Sequence, residues 1–168
     1  HLLLFAVSTN LSLAEENKPN RDEPATLKRI LSEAIESHKL EERDKGGEGL
    51  LYASDSQIPY TGWAKGMYKN GQAENIEHYT DGKLNGLGIW WYENGRKYSE
   101  TNYKNGKKHG LEAMWHEPAL DYDAGEVAIS KVNYKNGEKH GIQTWWDKEG
   151  NIIRQSRFDN GRKVEAIK

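Results

Sequence analysis

The sequence predicts a mainly all-β fold: an antiparallel meander of β-hairpin repeats with a period of about 24 residues and one N-terminal α-helix. A repeated eight-residue motif, here called the phrase, predicts this fold: aromatic, any residue, Asn or Asp, Gly, Lys, any residue, Asn or His, Gly. The phrase starts at Tyr79, at Tyr103 and, with Glu138 in place of the lysine, at Tyr134, and a decayed copy starts at Phe158, so the steps are 24, 31 and 24 residues. Glycines of a second turn phrase divide the units on both sides of the long step into 13 and 11 residues. Self-similarity at a fixed period is typical of stacked repeats.

Turn chemistry supports the same fold. Asn-Gly and Asp-Gly favour two-residue hairpin turns, because both central residues of a type I′ turn need positive φ. Six such pairs occur, at Asn70-Gly71, Asp81-Gly82, Asn94-Gly95, Asn105-Gly106, Asn136-Gly137 and Asn160-Gly161. Aromatic runs separate them, which predicts an antiparallel meander.

The segments between turns alternate apolar and polar side chains. Residues two apart share one face of a strand. Three equivalent sets result: Leu87, Ile89 and Trp91; Leu111, Ala113 and Trp115; Ile142, Thr144 and Trp146. We therefore expect a buried stack of Trp91, Trp115 and Trp146. The structural repeat positions are Tyr79, Gly82, Gly86, Trp91, Tyr103, Gly106, Gly110, Trp115, Tyr134, Gly137, Gly141 and Trp146.

The N-terminal segment has the pattern of a targeting sequence. Residues 1–14 hold a short apolar run, Leu2–Val7, and end in the small-x-small triplet Ser12-Leu13-Ala14. We interpret them as the remnant of a signal peptide cleaved after Ala14, and the mature chain would then be periplasmic or extracellular. The alternative is a buried N-terminal strand in a cytoplasmic protein. Residues 15–24 are polar with two prolines and are predicted to be a linker.

Helical periodicity follows the linker. Apolar residues recur from Leu27 to Ile35 at the spacing of one helix face, and Gly46-Gly47 ends the pattern. The sequence thus predicts a helix over residues 25–45, either capping the first hairpin or docking on a partner. Residues 50–168 are predicted to form the repeat domain. Its first hairpin would pair Leu50–Ala53 with Ile58–Met67, and an insertion at Glu117–Gly125 lengthens the middle step.

Composition restricts the kind of partner. The net charge of −2 does not indicate the basic surface that nucleic-acid binding needs. Acidic residues interspersed with the turn lysines Lys83, Lys107 and Lys139 dilute the field that anionic lipid would need. Cysteine is absent, so there is no disulfide framework.

Residues with catalytic or metal-binding side chains do not form a recognisable set. His109 and His140 stand at the repeat position of Asn85, which indicates a turn role before glycine through a left-handed backbone rather than metal binding. The strand carboxylates Glu77, Glu100 and Glu112 occupy non-equivalent positions, and no nucleophile motif or phosphate loop occurs. We expect no enzyme activity, no cofactor and no metal.

Aromatic residues are the candidate contact residues. Trp90, Met114 and Trp145 directly precede the three stacked tryptophans, so they lie on the opposite face of each strand, and Tyr92 lies on the same face as Trp90. Exposed aromatic patches mark interfaces. Either these four side chains face solvent and bind a partner, or both faces of the sheet are covered.

These residues also carry a family resemblance. The Tyr-x-Asn-Gly-Lys-x-His-Gly phrase, the following Trp-Trp or Met-Trp, and Pro59-Tyr60-Thr61-Gly62 resemble MORN-repeat variant proteins, in particular the bacterial YwqK-like antitoxins of toxin–antitoxin systems. The resemblance covers Leu50 to Lys163. It implies a hairpin-repeat sheet and a non-catalytic protein-binding role, with a toxin protein as the antitoxin's partner, and it supplies no catalytic residues. The insertion and the missing His-Gly after Gly161 depart from the pattern. The alternatives are a cell-envelope glycan-binding module and a structural spacer.

Overall fold

The computed structural model describes residues 24–43, 46–47, 49–117 and 128–167. The signal-peptide and linker predictions for residues 1–23 and most of the Glu117–Gly125 insertion lie outside these ranges. The described elements are α1 (Pro24–Glu33), β1 (Ile35–Glu36), a 3-10 turn (Ser37–Lys39), β2 (Leu40–Arg43), β3 (Leu50–Ala53), β4 (Gly62–Met67), β5 (Ala73–Thr80), β6 (Lys83–Trp91), β7 (Lys97–Lys104), β8 (Lys107–Trp115), β9 (Ala128–Lys135), β10 (Glu138–Trp146), β11 (Ile152–Asp159) and β12 (Arg162–Ala166).

The described strands form one long sheet and one small ribbon. The sheet has ten strands in the order β1-β4-β5-β6-β7-β8-β9-β10-β11-β12, and β2 pairs with β3 separately. From β4 onward every neighbour is next in sequence and antiparallel, whereas β1 joins β4 in parallel. The predicted mainly β meander with one N-terminal helix is therefore confirmed.

Two kinds of turn alternate along the sheet. At Asp81-Gly82, Asn105-Gly106, Asn136-Gly137 and Asn160-Gly161 both residues have positive φ, as a two-residue type I′ turn requires. The prediction is wrong for Asn70 and Asn94, where only the following glycine has positive φ. There the loop is longer, because Gly71 donates its N–H to the carbonyl of Tyr68, which places the glycine at a bulge after the turn.

The two-residue turns are also connected to one another. The N–H of Gly106 donates to the carbonyl of Leu84 at 2.8 Å, and Gly137 and Gly161 repeat this bond to Lys108 and Lys139. Each turn is thereby hydrogen-bonded to the hairpin before it. This regular ladder fixes the spacing of the repeats.

The Asn or His before the second glycine of the phrase contributes to this ladder. The N–H of Asn105 points to Oδ1 of Asn85, and the N–H of Asn136 points to Nδ1 of His109, both at 3.4 Å. The predicted left-handed backbone at these positions is wrong: positive φ belongs to the next residue, as at Gly110 with φ 90°. Asn and His share the position because each offers an acceptor of similar reach.

One face of the sheet, here called the helix face, carries Leu87, Ile89 and Trp91. Ile30 of α1 packs there on Ile76 and these three side chains, and Leu27, Leu31, Trp63 and Ala73 surround the cluster. Nζ of Lys65 in β4 donates to the carbonyl of Leu31 at 2.7 Å, which holds the C-terminal end of α1. The helix therefore covers the helix face over β4, β5 and β6.

The N-terminal segment departs from the prediction after Glu33. The helix ends there instead of reaching residue 45, and Ile35 pairs with Ala64 as part of β1. The predicted hairpin between Leu50–Ala53 and Ile58–Met67 is also wrong, because β3 pairs with β2. The ribbon docks on the first two-residue turn, where the N–H of Leu51 donates to the carbonyl of Gly82 at 3.1 Å. The whole segment thus caps the first repeat.

The opposite face, here called the aromatic face, is buried along its midline, and no helix among the described residues lies above it. Small or polar residues occupy the midline, and their exposed fractions are 5 % or less at Ala64, Thr101, Val132, Gln143 and Ser156. Larger side chains flank them on the same strands. At Gly88 a Cβ would lie 2.7 Å from the Trp90 ring and 3.3 Å from the Tyr103 ring, so both rings lean over the midline.

Candidate functional site

The structure brings three of the four predicted contact residues into one row on the aromatic face. Trp90 lies opposite Ser99, Ser99 opposite Met114, Met114 opposite Ser130 and Ser130 opposite Trp145. All three large side chains are half-buried. Along this row the three large side chains alternate with the small residues Ser99 and Ser130.

Trp90 has a visible structural role in this row. Its ring lies against Gly88, and its centroid is 6.5 Å from that of Tyr103 in an edge-on arrangement. A sugar-binding platform needs an open ring face, whereas this ring covers the midline of its own sheet. The arrangement therefore favours a packing role for Trp90.

Tyr92, the fourth candidate, lies outside the row at the start of a longer turn. Its hydroxyl donates to the carbonyl of Trp115 at 3.0 Å, and Tyr68 makes the same bond to Trp91 at 2.7 Å one repeat earlier. The Tyr92 ring packs on Tyr98 at 5.2 Å between centroids. Burial is the first cause of its raised pKa. Tyr92 thus joins successive repeats on the side of the longer turns.

Exposed and half-buried apolar side chains also lie on the helix face beyond α1. We call this set the open patch: Leu111, Trp115, Ile142, Trp146 and Ile152. Leu111 is 39 % exposed and Ile142 is 43 % exposed. The other three members are half-buried. The members on β8 and β10 stand at the repeat positions of Leu87 and Trp91, and the polar residues Lys131 and Asn133 of β9 lie between them.

The three equivalent tryptophans therefore have different environments. Trp91 is 9 % exposed in the core below α1. Trp115 and Trp146 are only half-buried, so the expected stack of three buried rings is met at Trp91 alone. Nζ of Lys97 lies 5.3 Å from the Trp115 ring centroid, which gives that ring a cation instead of a helix as its neighbour.

Charged groups on the aromatic face form a structural ladder. Lys108 pairs with Glu112, and its Nζ also lies 5.2 Å from the Tyr134 ring centroid. Burial, followed by the negative charge of Glu112, raises the pKa of Tyr134 to about 12. One repeat later, Lys139 donates to Gln143 at 3.0 Å and lies 5.2 Å from the Phe158 ring centroid. Lysines at this position thus pack across the anchoring aromatics.

The first repeat lacks that lysine, because Leu84 stands opposite Tyr79. The hydroxyl of Tyr79 donates to Oε2 of Glu77 at 3.0 Å. Burial raises the pKa of Glu77, and the Tyr79 hydrogen bond opposes that shift. Burial is also the first cause of the raised pKa of Tyr79.

The three strand carboxylates do not converge. Glu77 and Glu112 both belong to the aromatic-face midline, but β6 and β7 lie between their strands. Glu100 is on the helix face, where it pairs with Lys97 at 3.1 Å. The arrangement therefore offers no pair of facing carboxyl groups among these residues.

A hollow of about 450 Å³ lies on the side of the two-residue turns. Its lining includes Glu42 from the ribbon, Tyr79, and the turn lysines Lys83 and Lys107. Among the described residues, no three His, Asp or Glu side chains gather closely enough to hold a metal ion. In that same part of the chain, no helix is long and apolar enough to span a membrane.

No protein-family model, curated protein or solved structure matches the chain. The MORN-like resemblance accordingly rests on the residues of the repeat phrase. Sequence reasoning placed the contact surface on the Trp90 row and missed the exposure of Leu111 and Ile142. One signal could have found it: a single N-terminal helix, even one over residues 25–45, is shorter than a sheet of this many strands is wide.

Proposed function

We propose that the protein is a non-catalytic protein-binding repeat module whose contact surface is the open patch. One observation carries the proposal: the large apolar position that α1 buries at Leu87 on β6 recurs on β8 and β10 as Leu111 and Ile142, which are exposed. Exposed apolar side chains grouped on one face of a sheet mark a candidate interaction site. The resemblance to YwqK-like antitoxins adds that the partner is a toxin protein.

The framework suits recognition by a rigid surface. The ladder of turn hydrogen bonds fixes successive hairpins, and the tyrosine bonds from Tyr68 and Tyr92 fix their other ends. A surface that does not reorganise loses little entropy on binding. Burial of apolar area contributes roughly 25 cal/mol per Å², so Leu111, Ile142 and the two half-buried tryptophans can anchor a partner.

The test is a quantitative pull-down with the full chain as bait, from lysate and from envelope fractions. Ile142→Lys places a charge inside the open patch. The matched control is Ile58→Lys, because Ile58 is 75 % exposed in the loop before β4. A protein retained by wild type and Ile58→Lys but lost with Ile142→Lys supports the proposal. Retention by all three baits overturns the open patch as the contact surface.

The same baits address the glycan alternative. If all three baits bind envelope polysaccharide equally and Trp145→Ala loses this binding, the result would place the binding site on the aromatic face. Trp145 is the informative residue there, because Trp90 packs over Gly88 and its substitution also disturbs the sheet.

A further inference from the structure

The way the protein packs its own helix indicates what the open patch accepts. Ile30 lies on Ile76, Leu87, Ile89 and Trp91, while the apolar residues Leu27 and Leu31 extend the same stripe. The contact is thus an amphipathic helix laid on the helix face. The repeat reproduces the receiving rows further along the sheet, so the same kind of ligand fits there.

Row by row, the equivalence is close. Leu87 corresponds to Leu111 and Ile142, and Trp91 corresponds to Trp115 and Trp146. These two positions stay large and apolar on β8 and β10, while Asn133 of β9 lies opposite Leu111. The middle row changes, because Ala113 and Thr144 replace Ile89 and are both buried. On β8 and β10, large apolar side chains therefore flank a smaller residue at the middle position.

Dimensions agree with a helix across these strands. The three intervals from β8 to β11 span about 14 Å at the usual strand spacing. A helix of ten residues, the length of α1, is about 15 Å long. Since α1 lies over β4 to β6, a second helix of equal length can lie over β8 to β11 without overlapping it.

Charge in the middle row adds a polar contact. The cross-sheet row runs from Lys65 through Ile76, Ile89, Glu100 and Ala113 to Lys131. Lys65 already holds a C-terminal carbonyl of α1. Lys131 is exposed in the same row, between Ala113 and Thr144. A cation at this place favours helix C-terminal carbonyls or an acidic side chain.

Other occupants fit this charge less well. Two copies meeting through the patch would bring two Lys131 ammonium groups into one interface of low dielectric, which is unfavourable. Anionic membranes recruit clusters of about four to eight basic residues. The other cations at the patch margin are paired, Arg157 with Glu165 at 3.5 Å and Lys97 with Glu100 at 3.1 Å.

We propose that the open patch binds an amphipathic α-helix of about ten residues contributed by the protein partner. Its apolar stripe lies on Leu111, Ile142, Trp115 and Trp146, and its C-terminal carbonyls or an acidic side chain contact Lys131. This inference rests on the proposed function and specifies the partner's binding element.

The experiment uses the full chain and a helical probe. The probe is a fluorescein-labelled peptide of residues 24–36, with a hydrocarbon staple replacing the exposed residues Arg29 and Glu33. Fluorescence anisotropy should show saturable binding to wild type and to Ile58→Lys. Ile142→Lys and Leu111→Lys should each weaken it by about tenfold or more, as expected for central contacts of an interface. A probe carrying Ile30→Asp should not bind.

Several outcomes overturn the inference. Equal binding to wild type and Ile142→Lys means that the probe displaces α1 instead of occupying the patch. A dimer in light scattering that Ile142→Lys dissolves assigns the patch to a second copy. Sedimentation with vesicles of 30 % anionic lipid, lost on Lys131→Glu, assigns it to a membrane. Circular dichroism should show folded Ile142→Lys, because Ile142 is already 43 % exposed.

The two proposals can fail separately. If Ile142→Lys loses a lysate protein but the peptide probe does not bind, the proposal of a protein-binding module is kept. The proposal that the partner contributes a helix is then wrong. If Ile142→Lys changes neither the pull-down nor the binding of the peptide probe, both proposals are wrong.

Discussion

Single residues in this protein act through the neighbouring repeat more than through their own strand. Gly88 is an example, because its missing side chain makes room for Trp90 of its own hairpin and for Tyr103 of the next strand. The acceptor atoms of Asn85 and His109 likewise serve the following turn. A substitution at such a position changes the junction between two repeats.

Gly88→Ala should destabilise the sheet by about 1–3 kcal/mol, the usual cost of overpacking a filled site. The added Cβ would lie 2.7 Å from the Trp90 ring, which must move. Urea denaturation of Gly88→Ala, Trp90→Ala and the double variant measures the coupling. The double variant should lose less than the sum of the single losses, since removing the ring removes the clash. Additive losses would contradict the contact.

Glu77 should make stability depend on pH. Burial raises its pKa in the folded protein above the usual 4.5, so the folded state binds more protons than the unfolded state between these two values. The stabilising contribution of the protonated carboxyl is fully present below 4.5 and is lost as the pH rises to the raised pKa. The stability of wild type relative to Glu77→Gln should therefore fall across this interval and then stay constant.

Thermal melts at a series of pH values measure this difference. Tyr79→Phe removes the hydrogen bond that opposes the shift, so the upper limit of the interval should move to higher pH. An identical pH dependence of wild type and Glu77→Gln would show that the carboxyl is solvated in the folded protein.

At the level of elements, the local turn signal was correct at four of the six Asn-Gly and Asp-Gly pairs, whereas the pairings that depend on distant contacts were not predicted. The Asp81-Gly82 and Asn105-Gly106 turns could be predicted because two adjacent residues set their own φ. The helix end could not, because Ile35 continues the apolar period and yet pairs with Ala64 of β4. Only the tertiary fold decides that pairing.

The two-residue turns provide a clean test of backbone conformation. Gly106 has φ +78°, and an added Cβ would meet no atom within 4 Å. Gly106→Val should therefore lose about 1–2 kcal/mol through the left-handed conformation alone. Gly106→Asn should lose less, because asparagine tolerates this region. Chemical denaturation measures both, and equal losses would contradict a conformational cause.

At the scale of the whole molecule, α1 covers only part of the helix face. A ten-residue helix spans β4 to β6 of a ten-strand sheet, and the exposed apolar residues Leu111 and Ile142 lie beyond it. The repeat pattern predicts equivalent apolar positions along the whole sheet. It therefore does not predict at which strand the covering helix ends. That boundary follows from the length of α1 and from its attachment to Lys65.

The three equivalent tryptophans should report this boundary as a gradient of stability. Trp91→Ala removes a ring buried below α1 and should cost about 3–5 kcal/mol, as for other large core truncations. Trp115→Ala and Trp146→Ala should cost less, since solvent already reaches both rings and less area returns to water. Urea denaturation of the three variants gives the comparison, with equal slopes as the check that one transition is measured. A loss at Trp115 or Trp146 as large as that at Trp91 would mean that the second half of the helix face is covered, and the open patch could not serve as a binding surface.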